Sequence, residues 1–330
     1  MKLKSFKDNL YLKGHNKEIR CFTTLIYNDF LAIVSGSADG TIKIWNPNLS
    51  EDKLICTLKN ESTVWCLLSY KNNDNNLLAS SHFDEIRIWN PSQTNTPIYT
   101  LVGHQLNVVC LSSITINDMF TIISGSYDQT IKLWNPNAKA ERKTAWTKKQ
   151  NSLITTLTGH EHYVCAITTI KITGENYIVS GSADKTIKIW NTKDYSIYMN
   201  LKGHYHGVYS LTTIKYKGEE IIVSGSYDKV IKLWNPNSIE DNKVIMELLD
   251  HQDSIWYLSS FEVNNETLIL SSSEDRTINI WNPNLSEKSK LVESIRNESN
   301  VWCAIPYNYS DDPNCVCIVA GSFEEVKIYK

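Results

Sequence analysis

Five histidines, His15, His104, His160, His204 and His251, are each followed by a serine 20 residues later and an aspartate 24 residues later. Serine, histidine and aspartate are the nucleophile, base and orienting carboxylate of acyl-transfer enzymes. Such a triad occurs once per active site, whereas this set recurs five times at one spacing, so it reads as a repeated structural position. The pairs His160/His162 and His204/His206 could suggest a metal, but nothing supplies further ligands at a telling spacing. No nucleophile and no Gly-rich phosphate loop stands outside the repeats. The expectation is a protein that is not an enzyme and has no cofactor and no metal.

Composition narrows the partners little. Of 330 residues, 42% are apolar and 21% charged, and the formal net charge of −3 leaves no footprint for nucleic acid or an anionic membrane. Met1 to Leu10 mixes Lys, Asp and Asn with isolated apolar residues, which is not the core of a signal peptide, and no run reaches transmembrane length. Cys21, Cys66, Cys110 and Cys303 occupy one equivalent site in four repeats, and Cys315 and Cys317 fall two apart on an expected strand. A disulfide framework does not usually repeat a lone Cys per unit, so all eight are expected as free thiols in a reducing cytosol, with the nucleus as the alternative. The six Asn-x-Ser/Thr sequons carry no weight in a chain this rich in Asn.

The elements that position these residues appear in the spacing. Trp45, Trp89, Trp134, Trp190, Trp234, Trp281 and Tyr329 lie 44, 45, 56, 44, 47 and 48 residues apart, each closing a run such as Thr-Ile-Lys-Ile. That defines seven repeats with a fixed interior and variable connections. Each reads as four short strands. In the first, Ile19 to Ile26 alternates, Phe30 to Ser35 follows, a tight turn at Ala38-Asp39-Gly40 leads to Thr41 to Trp45, and Lys53 to Leu58 is the fourth.

Gly-His, then Ser-Gly-Ser-x-Asp, then Thr-Ile-Lys-Ile-Trp resembles the WD repeat over nearly the whole chain, with Asn in place of the usual Asp after all six Trp residues. The resemblance implies an all-β fold: one seven-bladed β-propeller spanning 1–330, built of four-stranded antiparallel sheets. It also implies that His, Ser, Asp and Trp of each set form a hydrogen-bonded brace. Ring closure is expected from the N-terminal strand, about residues 4–13, completing blade seven, since the chain ends on a third-type strand. Repeats two and seven are expected to lack the brace, because Asn60 and Asn297 stand where His would be and their turns at Phe83 and Phe323 are one residue short.

Counting from the His or its Asn replacement, the fourth residue is always β-branched and the seventh apolar, as in Ile19 and Phe22. A spacing of three does not keep both on one strand face, which implies a bulge. The fifth residues, Arg20, Trp65, Val109, Cys165, Tyr209, Trp256 and Trp302, differ where the core is monotonous. By resemblance, the third and fifth residues and the one before the turn Asp would line a peptide site at the channel mouth, adding Glu18, Tyr163, Phe83, Tyr127, Tyr227, Glu274 and Phe323. Large rings around one Arg have the composition of a binding hot spot, although they could instead pack between blades or plug the channel. Arg20 suits an acidic or C-terminal carboxylate ligand, and Glu18 and Glu274 beside rings suit a basic or methylated Lys; both stay open.

The extra segment in repeat three, an expected loop over 136–151 on the face away from that mouth, carries Lys139, Arg142, Lys143, Lys148 and Lys149 around Trp146. The expected function is a cytoplasmic scaffold, a monomer or subunit of a complex, holding a linear segment of a partner protein and no membrane. The alternative is an RNA-associated subunit for ribosome assembly or RNA processing that uses this loop.

Overall fold

Alternating runs joined by two-residue turns fold each repeat into antiparallel strands. A computed structural model describes residues 9–329 except 73, 139, 145–146, 151, 239–242, 287–288 and 309–315, with the backbone alone at 140–144 and 147–150. In repeat one the strands are Leu10–Tyr27, Phe30–Ser37, Thr41–Trp45 and Leu54–Lys59, paired in that order. The first hairpin turns on Asn28 (φ 44°) and Asp29 (φ 69°), and repeats three and six use Asn117-Asp118 and Asn264-Asn265 in the same left-handed conformation. Asn and Asp tolerate that region, which matches the strand twist across a two-residue turn.

The next turn is fixed by side chains. Asp39 Oδ1 accepts the Thr41 N–H at 2.8 Å and the Thr41 hydroxyl at 2.6 Å, while Ser37 Oγ accepts the Asp39 N–H at 3.1 Å. Gly40 at φ 77° completes it, and there a Cβ would stand 2.8 Å from the Asn60 carbonyl oxygen.

The expected bulge is present. Pairing of the first strand with the second skips Arg20, Val109, Tyr209 and Trp256, each the fifth residue of its repeat. One residue opposite none lets the fourth and seventh share the buried face. Ile19, Val64, Val108, Val164, Val208, Ile255 and Val301 are accordingly fully buried, and Phe22, Leu67, Leu111, Ile167, Leu211, Leu258 and Ala304 are buried too.

The strands group into two compact parts, Leu12–Val164 and Cys165–Lys330 with Met1–Tyr11. In the first, Trp89 packs into the core of repeat one and Trp134 into that of repeat two. In the second, Trp234, Trp281 and Tyr329 pack in the same way on repeats four, five and six. In repeats one and five close stacking leaves no room for a side chain at one second-strand position: a Cβ on Gly36 would meet Val64 Cγ1 at 2.6 Å, and one on Gly225 would meet Ile255 Cγ2 at 2.6 Å. Repeats two and six carry Ser81 and Ser272 at that position, and both hydroxyls are buried with no hydrogen-bond partner among the described residues. Ser81→Ala and Ser272→Ala are therefore expected to stabilise the protein by about 1 kcal/mol each, read as a higher urea midpoint at unchanged slope. A lower midpoint would mean that the hydroxyls do find partners.

The strand Leu10–Tyr27 has Phe323–Tyr329 as a sheet neighbour on one side and Phe30–Ser37 on the other. Lys327 Nζ lies 5.3 Å from the Tyr11 ring centre at this seam. The N-terminal residues thus complete the last sheet, as the ring-closure expectation required; residues 1–8 lie outside the described residues.

The segment 136–151 is not the loop expected. Ala140–Thr144 and Thr147–Gln150 form an antiparallel hairpin whose second strand runs parallel beside Tyr99–Val102 of repeat two, Lys149 opposite Thr100. An outer strand leaves a row of unpaired N–H and C=O groups, and the hairpin pairs with that edge. Arg142, Lys143, Lys148 and Lys149 hold strand positions, whereas Lys139 and Trp146 lie outside the described residues.

Candidate functional site

The histidine sets form braces. Asp39 Oδ2 lies 2.9 Å from His15 Nδ1, His15 Nε2 lies 2.7 Å from Ser35 Oγ, and the Trp45 indole N–H donates to Ser35 Oγ at 2.8 Å. Repeats three, five and six repeat these contacts at 2.7–2.8 Å through His104, His204 and His251. In repeat four Trp190 donates to Ser180 at 2.8 Å, and the Thr186 hydroxyl donates to Asp184 at 2.7 Å. With Nδ1–H donating to the carboxylate, Nε2 accepts the serine proton and serine oxygen accepts the indole proton, so every donor has its acceptor. That polarity is the one a hydrolase uses. Here, however, Ser35, Ser124, Ser180, Ser224 and Ser271 are fully buried and already hold an indole, which bars a substrate.

The charges follow from this geometry. Burial alone would raise the Asp228 carboxyl, but the bonds from His204, Tyr205 N–H and Val230 N–H outweigh it and hold the group at about 2. In Asp39, Asp128 and Asp275 burial is likewise outweighed, first by the paired histidine, and they lie well below the usual carboxylate range. Burial pushes the His104 imidazole down.

Repeat two corrects the expectation that it lacks a brace. His82, on the turn side of the second strand, brings Nε2 to 2.8 Å from Ser80 Oγ, which also accepts the Trp89 indole at 2.8 Å. Burial, then the Arg87 charge, push this imidazole down to about 4. Asn60 instead accepts from Arg87 Nη1 at 2.9 Å, while Arg87 Nε is paired with Glu85 at 2.6 Å. In repeat seven Ala320 pairs with Lys327 as Ser35 pairs with Lys43, so the serine is gone, and the Tyr329 hydroxyl donates directly to Asn297 Oδ1 at 3.0 Å. The phenol thus reaches the residue at the histidine position without an intervening serine. Sequence reasoning missed His82 because it sits two residues after the serine rather than 20 before it.

The aromatic candidates fall into two groups, one in each part. In Leu12–Val164, the Arg20 guanidinium lies 5.4 Å from the Trp65 ring centre and Trp65 lies 6.2 Å from Tyr127. Tyr127 stacks on Tyr163 at 4.3 Å, and His162, which spacing had suggested only as a metal ligand, abuts Tyr163 at 4.2 Å. In the other part Trp256 is central, 5.2 Å from Tyr209, 5.2 Å from Trp302 and 6.3 Å from Tyr227. Bulges set Tyr209 and Trp256 here, and Trp302 enters through its N–H on the Gly321 carbonyl at 3.2 Å. Phe83 and Phe323 are more than half exposed and join neither group, and Glu18, on its first strand, and Glu274, at its turn, are half-buried. Val109 and Cys165 fill the remaining fifth positions, and burial pushes the Cys165 thiol up to about 12, away from reactivity. The seven described cysteines are free, and Cys315 lies outside the described residues.

The family described as "WD domain, G-beta repeat" matches residues 6–46, 95–135, 151–191, 196–235 and 242–282, the five repeats with the His-Ser-Asp-Trp set. The crystal structure of the WD40 beta propeller domain of Doa1 is similar at a TM-score of 0.74 and 25% identity, over 98% of this chain and 97% of that one. Nuclear distribution protein nudF 1 of Talaromyces marneffei is 27% identical over 178 residues, 54% of this chain but 26% of that protein's length, so the chain spans about a quarter of that relative. The chain belongs to the WD40-repeat family of β-propellers, a fold typical of protein-interaction scaffolds.

Proposed function

We propose that this propeller is a non-catalytic scaffold that seats a short linear segment of a partner protein on the rings of Tyr209, Tyr227, Trp256 and Trp302. One contrast carries the reading. The six Trp residues that end third strands all donate their indole N–H to a buried serine. Trp256 is half-buried, touches three rings, and has an indole nitrogen with no acceptor among the described residues. A side chain retained for bracing would have its donor satisfied. Rings on a bulge, with Tyr227 48% exposed beside them, supply contact area at low entropic cost. The free thiols suit a reducing, cytosolic setting.

Trp256→Ala combined with Trp302→Ala is expected to abolish partner capture in a quantitative pull-down while the melting temperature stays within a few degrees of the parent. Capture by the parent should change little between low and moderate salt, whereas RNA binding would weaken steeply. Collapse of the melting transition in the double variant would show that these rings are core, and steep salt dependence would favour RNA.

A further inference from the structure

Away from those rings, a cavity of about 580 Å³ opens between the outer strand Ile197–Lys202 of repeat four and the strands Ile231–Trp234 and Val244–Leu248 of repeat five. Its floor is apolar: Met199 and Val244 are half-buried and pack on the cluster that contains Trp234. Gly203 keeps the floor at the indole edge, since a Cβ there would stand 3.1 Å from Trp234 Cη2. Tyr205 borders the cavity 78% exposed, and Ile197, Tyr198, Ile245 and Leu249 leave further apolar surface uncovered on the same outer strands and the residue after them.

The wall is basic. Its described lining holds Lys202, Lys232 and Lys243 against the single carboxylate of Glu247, in a chain whose net charge is −3. Lys232 is buried and paired with Glu247, where the equivalent Lys43 and Lys132 donate to a threonine hydroxyl at 3.2 and 2.9 Å. Lys202 is exposed and forms no ion pair among the described residues. A methionine floor adapts to varied side chains, and an ammonium beside it favours a carboxylate over a neutral neighbour.

We infer that this groove is a second docking site, for a peptide segment that places one large apolar side chain on Met199, Val244 and Trp234 and an acidic residue beside Lys202. It is separate from the Trp256 rings and stands whether or not those rings bind a partner.

The test uses the intact protein and a displayed library of random nine-residue peptides, with one selected peptide synthesised and fluorescently labelled. Selected sequences are expected to pair an aromatic or leucine side chain with a nearby Asp or Glu. Lys202→Glu and Tyr205→Ala, both at exposed side chains and expected to melt like the parent, should each weaken the labelled peptide roughly tenfold or more, while Trp256→Ala leaves its affinity unchanged. Peptides without acidic bias, or affinity indifferent to Lys202→Glu, would overturn the inference. So would light scattering that shows a dimer dissolved by Tyr205→Ala, since the groove would then be a contact between copies of this chain.

Discussion

Ser224→Ala is expected to lower the unfolding free energy by about 2–5 kcal/mol, because one oxygen serves two buried partners. The Trp234 indole N–H and His204 Nε2 both meet Ser224 Oγ, at 2.7 Å each, and alanine strands both. The damage reaches beyond one sheet, since Trp234 packs into the core of repeat four. A double-mutant cycle isolates the mechanism. Trp234→Phe removes one of the stranded groups, so Ser224→Ala should cost less on that background than in the parent, by more than the roughly 0.5 kcal/mol expected of independent sites. Urea melts measure all four proteins, and additive effects would mean that the serine acts by packing alone. Asp228→Ala should destabilise in the same sense, since it frees the His204 Nδ1–H from its acceptor 2.8 Å away.

Acid should weaken the fold well before carboxylates protonate, and His82 is the reason. Its ring is wholly buried, and burial with the Arg87 charge lowers it from 6.5 to about 4. Between those values the unfolded chain binds a proton that the folded chain refuses. Stability from this group is therefore fully present above pH 6.5, falls as pH drops towards 4, and is then lost, a change of about 3 kcal/mol. The lowered His104 adds in the same direction. Asp228, depressed from 3.8 to about 2, adds a later loss as pH falls through that interval. Urea titrations from pH 8 to 4 should show the first slope, and His82→Asn should flatten it while lowering the plateau. A slope unchanged in that variant would assign the effect to other histidines.

The brace and the bulge were legible because both are matters of counting along one strand pair. Ile19 and Phe22 lie three apart on one buried face, and only an extra residue between them, Arg20, permits it. What counting missed was substitution from outside the register. His82 reaches Ser80 from two residues further along the same chain segment, and Tyr329 reaches Asn297 directly, so both replacements depend on three-dimensional reach that the spacing rule does not encode. The hairpin of repeat three was missed for a related reason. Its partner, Tyr99–Val102, belongs to another repeat and pairs in parallel, while the local sequence shows only charge. Fifth-position variability singled out the aromatic residues as a class. Their contacts were not legible, because which rings touch depends on turn residues such as Tyr227 and Tyr127 as much as on the bulge itself.

The pairing of Leu10 and Tyr11 with the strand that ends at Tyr329 has a consequence for biosynthesis. The strand that starts at Leu10 leaves the ribosome long before Phe323–Tyr329, its sheet neighbour. Joining them across a flexible chain of roughly 300 residues would cost about 5 kcal/mol of entropy, so the seam forms most readily once the intervening repeats have folded. Until then a naked strand edge waits in the company of other nascent chains, and its protection during that interval falls to chaperones or to speed of synthesis.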